Sequence, residues 1–172
     1  MSADIQYSFK KLTVDDITDE YIFWLNNPVV NQFLEVRHKV QTIETISDFL
    51  KSFYDQEEKY IWGIYHDIKM IGTVTLYDLN REEKNVEIGL MIGDTDYWGK
   101  LASDSAYKFA LGFAFKELDM ESATGGCYDD NLGIIFTFKK LGFVKGRAKY
   151  FGQHKSVHQW RISRKDWNYE YS

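Results

Sequence analysis

The amino-acid sequence predicts an α/β fold with a mixed, mostly antiparallel central sheet of about seven strands flanked by four helices. Three observations predict it. Apolar residues recur at helical spacing in four separate stretches. Residues 60–66, 70–79 and 85–92 are rich in β-branched and aromatic side chains, with only short polar breaks between them. Beyond residue 92 the two patterns alternate along the chain. With 172 residues, one proline, no internal repeat and no linker-like stretch, the chain reads as a single domain over residues 1–172.

The elements follow in order. A short strand at 7–12 precedes a first helix, on which Ile17, Tyr21, Trp24 and Leu25 share one face and which Asn26-Asn27-Pro28 is expected to end. Thr42 can cap a second helix carrying Ile43, Ile46, Phe49, Leu50 and Phe53. The three central segments then read as consecutive antiparallel strands, broken at His66-Asp67 and at the charged turn Arg81-Glu82-Glu83-Lys84. A turn over 93–99 leads into a third helix whose inner face carries Ala106, Phe109, Ala110, Phe113 and Ala114. A strand at 122–128 follows. Asp130 or Asn131 can cap a fourth helix, 132–141, which Gly142 closes where a left-handed residue is needed. Strands at 143–150 and 157–163 finish the chain as a hairpin.

Composition narrows the function. The net charge is −5, with Lys and Arg scattered rather than gathered in a stripe, so nucleic acid is not an expected partner. A lone cysteine, Cys127, forbids an intrachain disulfide and fits a reducing compartment. The opening Met-Ser-Ala-Asp lacks a leader pattern, and no apolar run approaches the roughly 18 residues of a membrane span. A cytoplasmic protein without membrane attachment is the expectation. No His, Cys or carboxylate spacing suggests a metal.

Two segments carry a resemblance. Glu87-Ile88-Gly89-Leu90-Met91-Ile92 followed by Tyr97-Trp98-Gly99-Lys100 and a helix is similar to the cofactor motif of the GNAT acetyltransferases. Asn131-Leu132-Gly133, running on through Phe138-Lys139-Lys140-Leu141-Gly142-Phe143, resembles a second motif of that family, and the element order resembles its fold over nearly the whole chain. Tyr-Trp-Gly-Lys in place of the commoner Arg-x-Gly-x looks like the branch of ribosomal-protein N-terminal and nucleotide-sugar amine acetyltransferases. The resemblance implies an N-acetyltransferase using acetyl-CoA as co-substrate and no metal. It leaves a homodimer open.

On this reading Trp98, Gly99, Lys100, Leu101, Ala102 and Ser103 hold the cofactor diphosphate. The first turn of a helix offers unpaired N–H groups and the positive end of a dipole, and Lys100 and Ser103 add a charge and a hydroxyl. The alternative is a plain strand-to-helix connection. Leu101 and Ser103 stand where the family usually has glycine and glycine or alanine. A β-carbon at 101 restricts positive φ, so either the helix opens in right-handed geometry or a one-residue deletion lies beside Lys100.

The remaining roles are implied in the same way. Glu87 is the candidate base, with an ordinary salt bridge as the alternative. Backbone N–H groups near Met91 and Ile92 hold the pantetheine and the oxyanion. Asn131 bonds the pantetheine or caps its helix, and Lys140 reaches the phosphates or is solvated. Ile134 and Phe138 occupy the places of the family's proton donors, which leaves Tyr128, His154 or His158 as candidates, or solvent. Cys127 reads as a buried apolar residue.

The acceptor should meet residues 31–38 and 150–154, with Phe33, Glu35, Arg37, His38 and Tyr150 as the substrate-binding candidates. Aromatics interleaved with polar side chains, and an arginine for a phosphate, suit a nucleotide-linked amino sugar of surface-polysaccharide synthesis. Protein N-termini and a non-catalytic acyl-CoA-binding module are the alternatives.

Overall fold

The computed structural model describes residues 5–54, 57–150 and 156–168. Its centre is a seven-stranded sheet in the order β1-β2-β3-β4-β5-β7-β6. The strands are β1 (Ser8–Lys11), β2 (Tyr60–His66), β3 (Lys69–Asn80), β4 (Asn85–Ile92), β5 (Ser122–Tyr128), β6 (Val144–Tyr150) and β7 (Ser156–Ser163). All neighbours are antiparallel except β4 and β5. The expected α/β fold and its strand count therefore hold.

Five α-helices, rather than four, occur among the described residues: α1 (Asp19–Asn26), α2 (Pro28–Asn31), α3 (Ile43–Lys51), α4 (Ala102–Gly112) and α5 (Leu132–Leu141). The extra one comes from Pro28. A proline stops a preceding helix but also suits a first helical position, where its missing N–H is no loss. Here the Asn27 side chain accepts from the Val29 amide at 3.0 Å and starts α2 directly. The other caps are as expected, since Thr42 accepts from Thr45 N and Asn131 from Ile134 N. Gly142 ends α5 at φ 89°.

Strand alternation feeds two cores, one on each face of the sheet. Ile61, Met70 and Met91 face Tyr21, Trp24, Ile46 and Leu50 of α1 and α3. Trp62, Ile64, Ile71, Val74 and Ile88 face Ala106, Ala110 and Ala114, with Phe115 and Phe138 filling the far end. The α3 face is narrower than its periodicity suggests: Ile46 and Leu50 are buried, whereas Ile43 and Phe49 are half exposed. Truncating Leu50 to alanine should cost about 2–5 kcal/mol, the usual range for a fully buried aliphatic side chain.

The parallel pair positions the site. β4 and β5 pair only at Asn85–Ser122, Val86–Ala123 and Glu87–Thr124, while β5 stays paired with β7 from Ser122 to Tyr128. Past Glu87, β4 therefore leaves its neighbour and the sheet opens. Phe138 occupies the base of the opening: a Cβ on Gly125 would lie 2.7 Å from its ring, and Ile88 O is 3.6 Å from the same point. Gly93 allows α1 to close on the other side, because a Cβ there would fall 2.1 Å from the Trp24 ring. Among the described residues no helix is long and apolar enough to cross a membrane.

Candidate active site

Two clefts converge where β4 leaves β5. The larger, about 620 Å³, is lined by Met91, Ile92, Trp98, Gly99, Leu101, Ala102, Ser103, Asn131 and α5 residues. The smaller, about 440 Å³, is lined by Glu87, Tyr77, Tyr107, Tyr128, Phe33, Glu35 and a largely apolar wall. They share Phe33, Leu34, Leu90, Met91, Asn131 and Ile134. Eight of the ten residues expected at the cofactor thus line one cleft, and Glu87 lies in the other.

The turn into α4 departs from expectation. Leu101 adopts a left-handed conformation, φ 62° and ψ 11°, two residues after Gly99 at φ 74°. Neither a right-handed opening nor a deletion is needed. A leucine in this region costs about 1–3 kcal/mol, so the surroundings must hold it there. They do so through Lys100 N donating to Tyr97 O, Ser105 N to Leu101 O, and the Tyr7 hydroxyl to Lys100 O at 2.8 Å. Among the described residues the amides of Leu101, Ala102 and Ser103 donate to no backbone group. This is a set of unpaired donors at a helix N-terminus, which fits a diphosphate.

Two lysines expected there are engaged elsewhere. The Lys100 ammonium sits 5.5 Å above the Tyr97 ring. Lys140 is ion-paired with Asp104, which also accepts from Thr137 at 3.1 Å. Asp104 is almost fully buried in the first turn of α4, so Lys140 balances a buried carboxylate and ties α5 to α4. Trp98 donates its indole N–H to Ile92 O at 2.9 Å and so fixes the end of β4.

In the acceptor cleft, Glu87 Oε1 accepts a hydrogen bond from Tyr77 at 2.9 Å. Burial, and then the adjacent Glu87 charge, push the Tyr77 phenol far above its ordinary range, so it stays a donor. Tyr107, fully buried beside them, is raised in the same direction, chiefly by desolvation. The sequence reading missed Tyr77 because hairpin counting from the turn at 81–84 pairs Asp78 with Glu87. Asp78 instead takes φ 49°, and the register slips to Tyr77–Glu87.

The Tyr128 hydroxyl is held between two side chains of the segment after α2. It donates to Glu35 and accepts from Arg37 at 3.0 Å, and Arg37 also donates to Gln32 O at 2.5 Å. Burial, followed by the Glu35 bond, raises the Tyr128 phenol. His38 lies 3.5 Å from Glu35 on the exposed side. His158 turns toward Asp129, 2.9 Å away. His154 and the Tyr150 side chain lie outside the described residues. Phe138 is fully buried and Ile134 is apolar, so neither supplies a proton.

Comparison with known proteins gives a consistent result. A probable acetyltransferase of known structure superimposes with a TM-score of 0.83 at 16% identity, covering 94% of each chain. The spermidine N-acetyltransferase of Vibrio cholerae, solved with CoA and spermine, superimposes at 0.82 with 15% identity over 94% of this chain and 97% of its own. An uncharacterized protein of Methanocaldococcus jannaschii is 25% identical over 143 residues, which are 78% of this chain but only 28% of that protein. The family model described as "Acetyltransferase (GNAT) domain" matches residues 8–144. With its open β4–β5 pair and amide-lined turn before α4, the chain belongs to the GNAT acetyltransferase family.

Proposed function

We propose that this chain transfers the acetyl group of acetyl-CoA to the primary amine of a small molecule with a largely apolar body. The carrying observation is the meeting of the two clefts at the opened β4 edge, with the Glu87 carboxylate, held by Tyr77, in the smaller one. When bound, acetyl-CoA supplies an acetyl group on a good leaving group, a thiol. The protein's share is to place it, to keep the amine neutral and to stabilise charge on the carbonyl oxygen.

The β4 residues past Glu87 keep their β3 partners but lack a β5 partner, so the backbone groups on the open side can hold the pantetheine arm and the carbonyl oxygen, apart from Ile92 O, which accepts from Trp98. The amides of Leu101 to Ser103 face the diphosphate, and Asn131 borders both clefts. Glu87 takes the ammonium proton, directly or through a water, while Tyr77 holds one of its oxygens. With Ile134 and Phe138 apolar and Tyr128 donating to Glu35, the thiolate is reprotonated from solvent. Proximity carries much of the rate.

The lining favours the acceptor class. Leu25, Leu34, Val36, Ile46, Phe49 and Val157 give an apolar wall that suits an alkyl or aromatic body better than a hydroxyl-rich sugar. Arg37, the residue expected to meet a nucleotide phosphate, is occupied by Tyr128 and Gln32. A polyamine, as taken by the Vibrio cholerae enzyme, needs further carboxylates, and Glu35 is already shared among Tyr128, Arg37 and His38.

The deciding assay is CoA-thiol release with arylalkyl and alkyl monoamines, spermidine, UDP-linked amino sugars and N-terminal peptides. The highest kcat/KM is expected among the monoamines. Preferred turnover of a UDP-amino sugar or a peptide overturns the acceptor class. CoA binding without release from any amine points to a non-catalytic module.

A further inference from the structure

We propose that Tyr7 is a positioning residue for the cofactor diphosphate: it fixes the peptide between Lys100 and Leu101 so that the Leu101 amide is presented to the cleft. The inference rests on the reading of this turn as the diphosphate cradle.

Tyr7 precedes β1 and is 93 residues away in sequence, yet its hydroxyl donates to Lys100 O at 2.8 Å. No cis peptide occurs among the described residues, and in a planar trans peptide the C=O and the following N–H point in opposite directions. Holding Lys100 O against Tyr7 therefore turns the Leu101 N–H away from β1. Leu101 lines the larger cleft, and its amide donates to no described backbone group. The same bond holds Leu101 at φ 62°, a conformation its side chain resists.

The Tyr7 ring is itself braced. It packs 6.3 Å edge-on to Tyr97 and 6.2 Å from His66, and His66 Nδ1 is 2.8 Å from the Tyr97 hydroxyl. Tyr97 O in turn accepts from Lys100 N. A glycine at 101 would reach this geometry without help. In this chain the hydroxyl of a distant tyrosine supplies part of what glycine supplies by having no Cβ.

The test compares CoA with pantetheine, which lacks the diphosphate and nucleotide. Calorimetric titration of Tyr7→Phe, which keeps the ring and its packing, should show CoA binding weakened about five-fold, the size of one ordinary hydrogen bond. NMR titration with millimolar pantetheine should show no change, and the melting temperature should move little. Equal losses with both ligands, or no loss with CoA, overturn the proposal. Ser103→Glu isolates the underlying reading, because a glutamate suits the first turn of a helix but repels a diphosphate. If Ser103→Glu leaves CoA affinity unchanged, the cradle itself is misplaced, whatever Tyr7→Phe does.

Discussion

Tyr77 and Glu87 face each other across the β3–β4 ladder, and the tyrosine hydroxyl donates to Glu87 Oε1 at 2.9 Å. This geometry leaves the other carboxylate oxygen available to an acceptor amine. Because Tyr77 is held far above its ordinary range by burial and by the Glu87 charge, it remains a donor throughout the working pH range. Glu87→Gln should lower kcat at least 100-fold, within the usual contribution of a general base. Tyr77→Phe should lower it less, by about ten-fold, through misorientation of the carboxylate. Initial rates of thiol release at saturating acetyl-CoA measure both, and an unchanged rate in Glu87→Gln reassigns the base.

Leu101 stores strain that a single substitution should release. Glycine is at ease at φ 62°, and Leu101 is more than half exposed, so little packing is lost. Leu101→Gly should raise unfolding free energy by about 1 kcal/mol, net of the extra chain entropy of glycine. Thermal and urea unfolding measure the change. A lower melting point would mean that the leucine side chain contributes more through contact than it costs in conformation.

The sequence carries the elements better than their junctions. Thr42, Asn131 and Gly142 mark helix ends because each answers a local hydrogen-bonding or φ requirement visible in a few residues. Pro28 was ambiguous, since the same ring that ends one helix can begin the next. The left-handed φ of Leu101 is not legible locally, because one of the bonds that hold its turn comes from Tyr7, 93 residues away. Lys140 looked available because Asp104 is 36 residues away on another helix. Tyr77 was hidden by the bulge at Asp78, which shifts the partner of Glu87 by one residue. Each miss involves a distant partner, a register slip or a residue with two local readings.

Cys127 supplies a pH test. It is nearly fully buried at the edge of the acceptor cleft, and desolvation followed by the Asp129 and Asp130 charges pushes its thiol up to about 12. In the unfolded chain a thiol titrates near its ordinary value of about 8.5. The folded value is the higher one, so this contribution to stability is complete below the unfolded value and is lost as pH rises toward 12. Iodoacetamide should label the native protein far more slowly than the urea-unfolded chain at pH 8. Cys127→Ala should retain acetyl transfer. Rapid native labelling would show a thiolate that this environment does not favour.

The last relationship concerns acceptor choice. Tyr128 at the end of β5 is clasped by Glu35 and Arg37, both in the segment after α2, and the Arg37 guanidinium also lies 5.0 Å over the Tyr128 ring. Phe33, 6.2 Å from that ring, borders both clefts. The clasp therefore sets the wall facing the acceptor while leaving the α4 turn untouched. Tyr128→Phe removes the shared hydroxyl and leaves Glu35 and Arg37 3.9 Å apart, with His38 and Gln32 O as their remaining partners. The wall should loosen without collapse, because the ring and its contacts remain. The KM for the amine should rise about five-fold, the scale of one or two hydrogen bonds, while the KM for acetyl-CoA stays within error. Steady-state kinetics with each substrate varied in turn separates the two. A loss confined to kcat, with both KM values unchanged, would instead return Tyr128 to the role of proton donor to the thiolate.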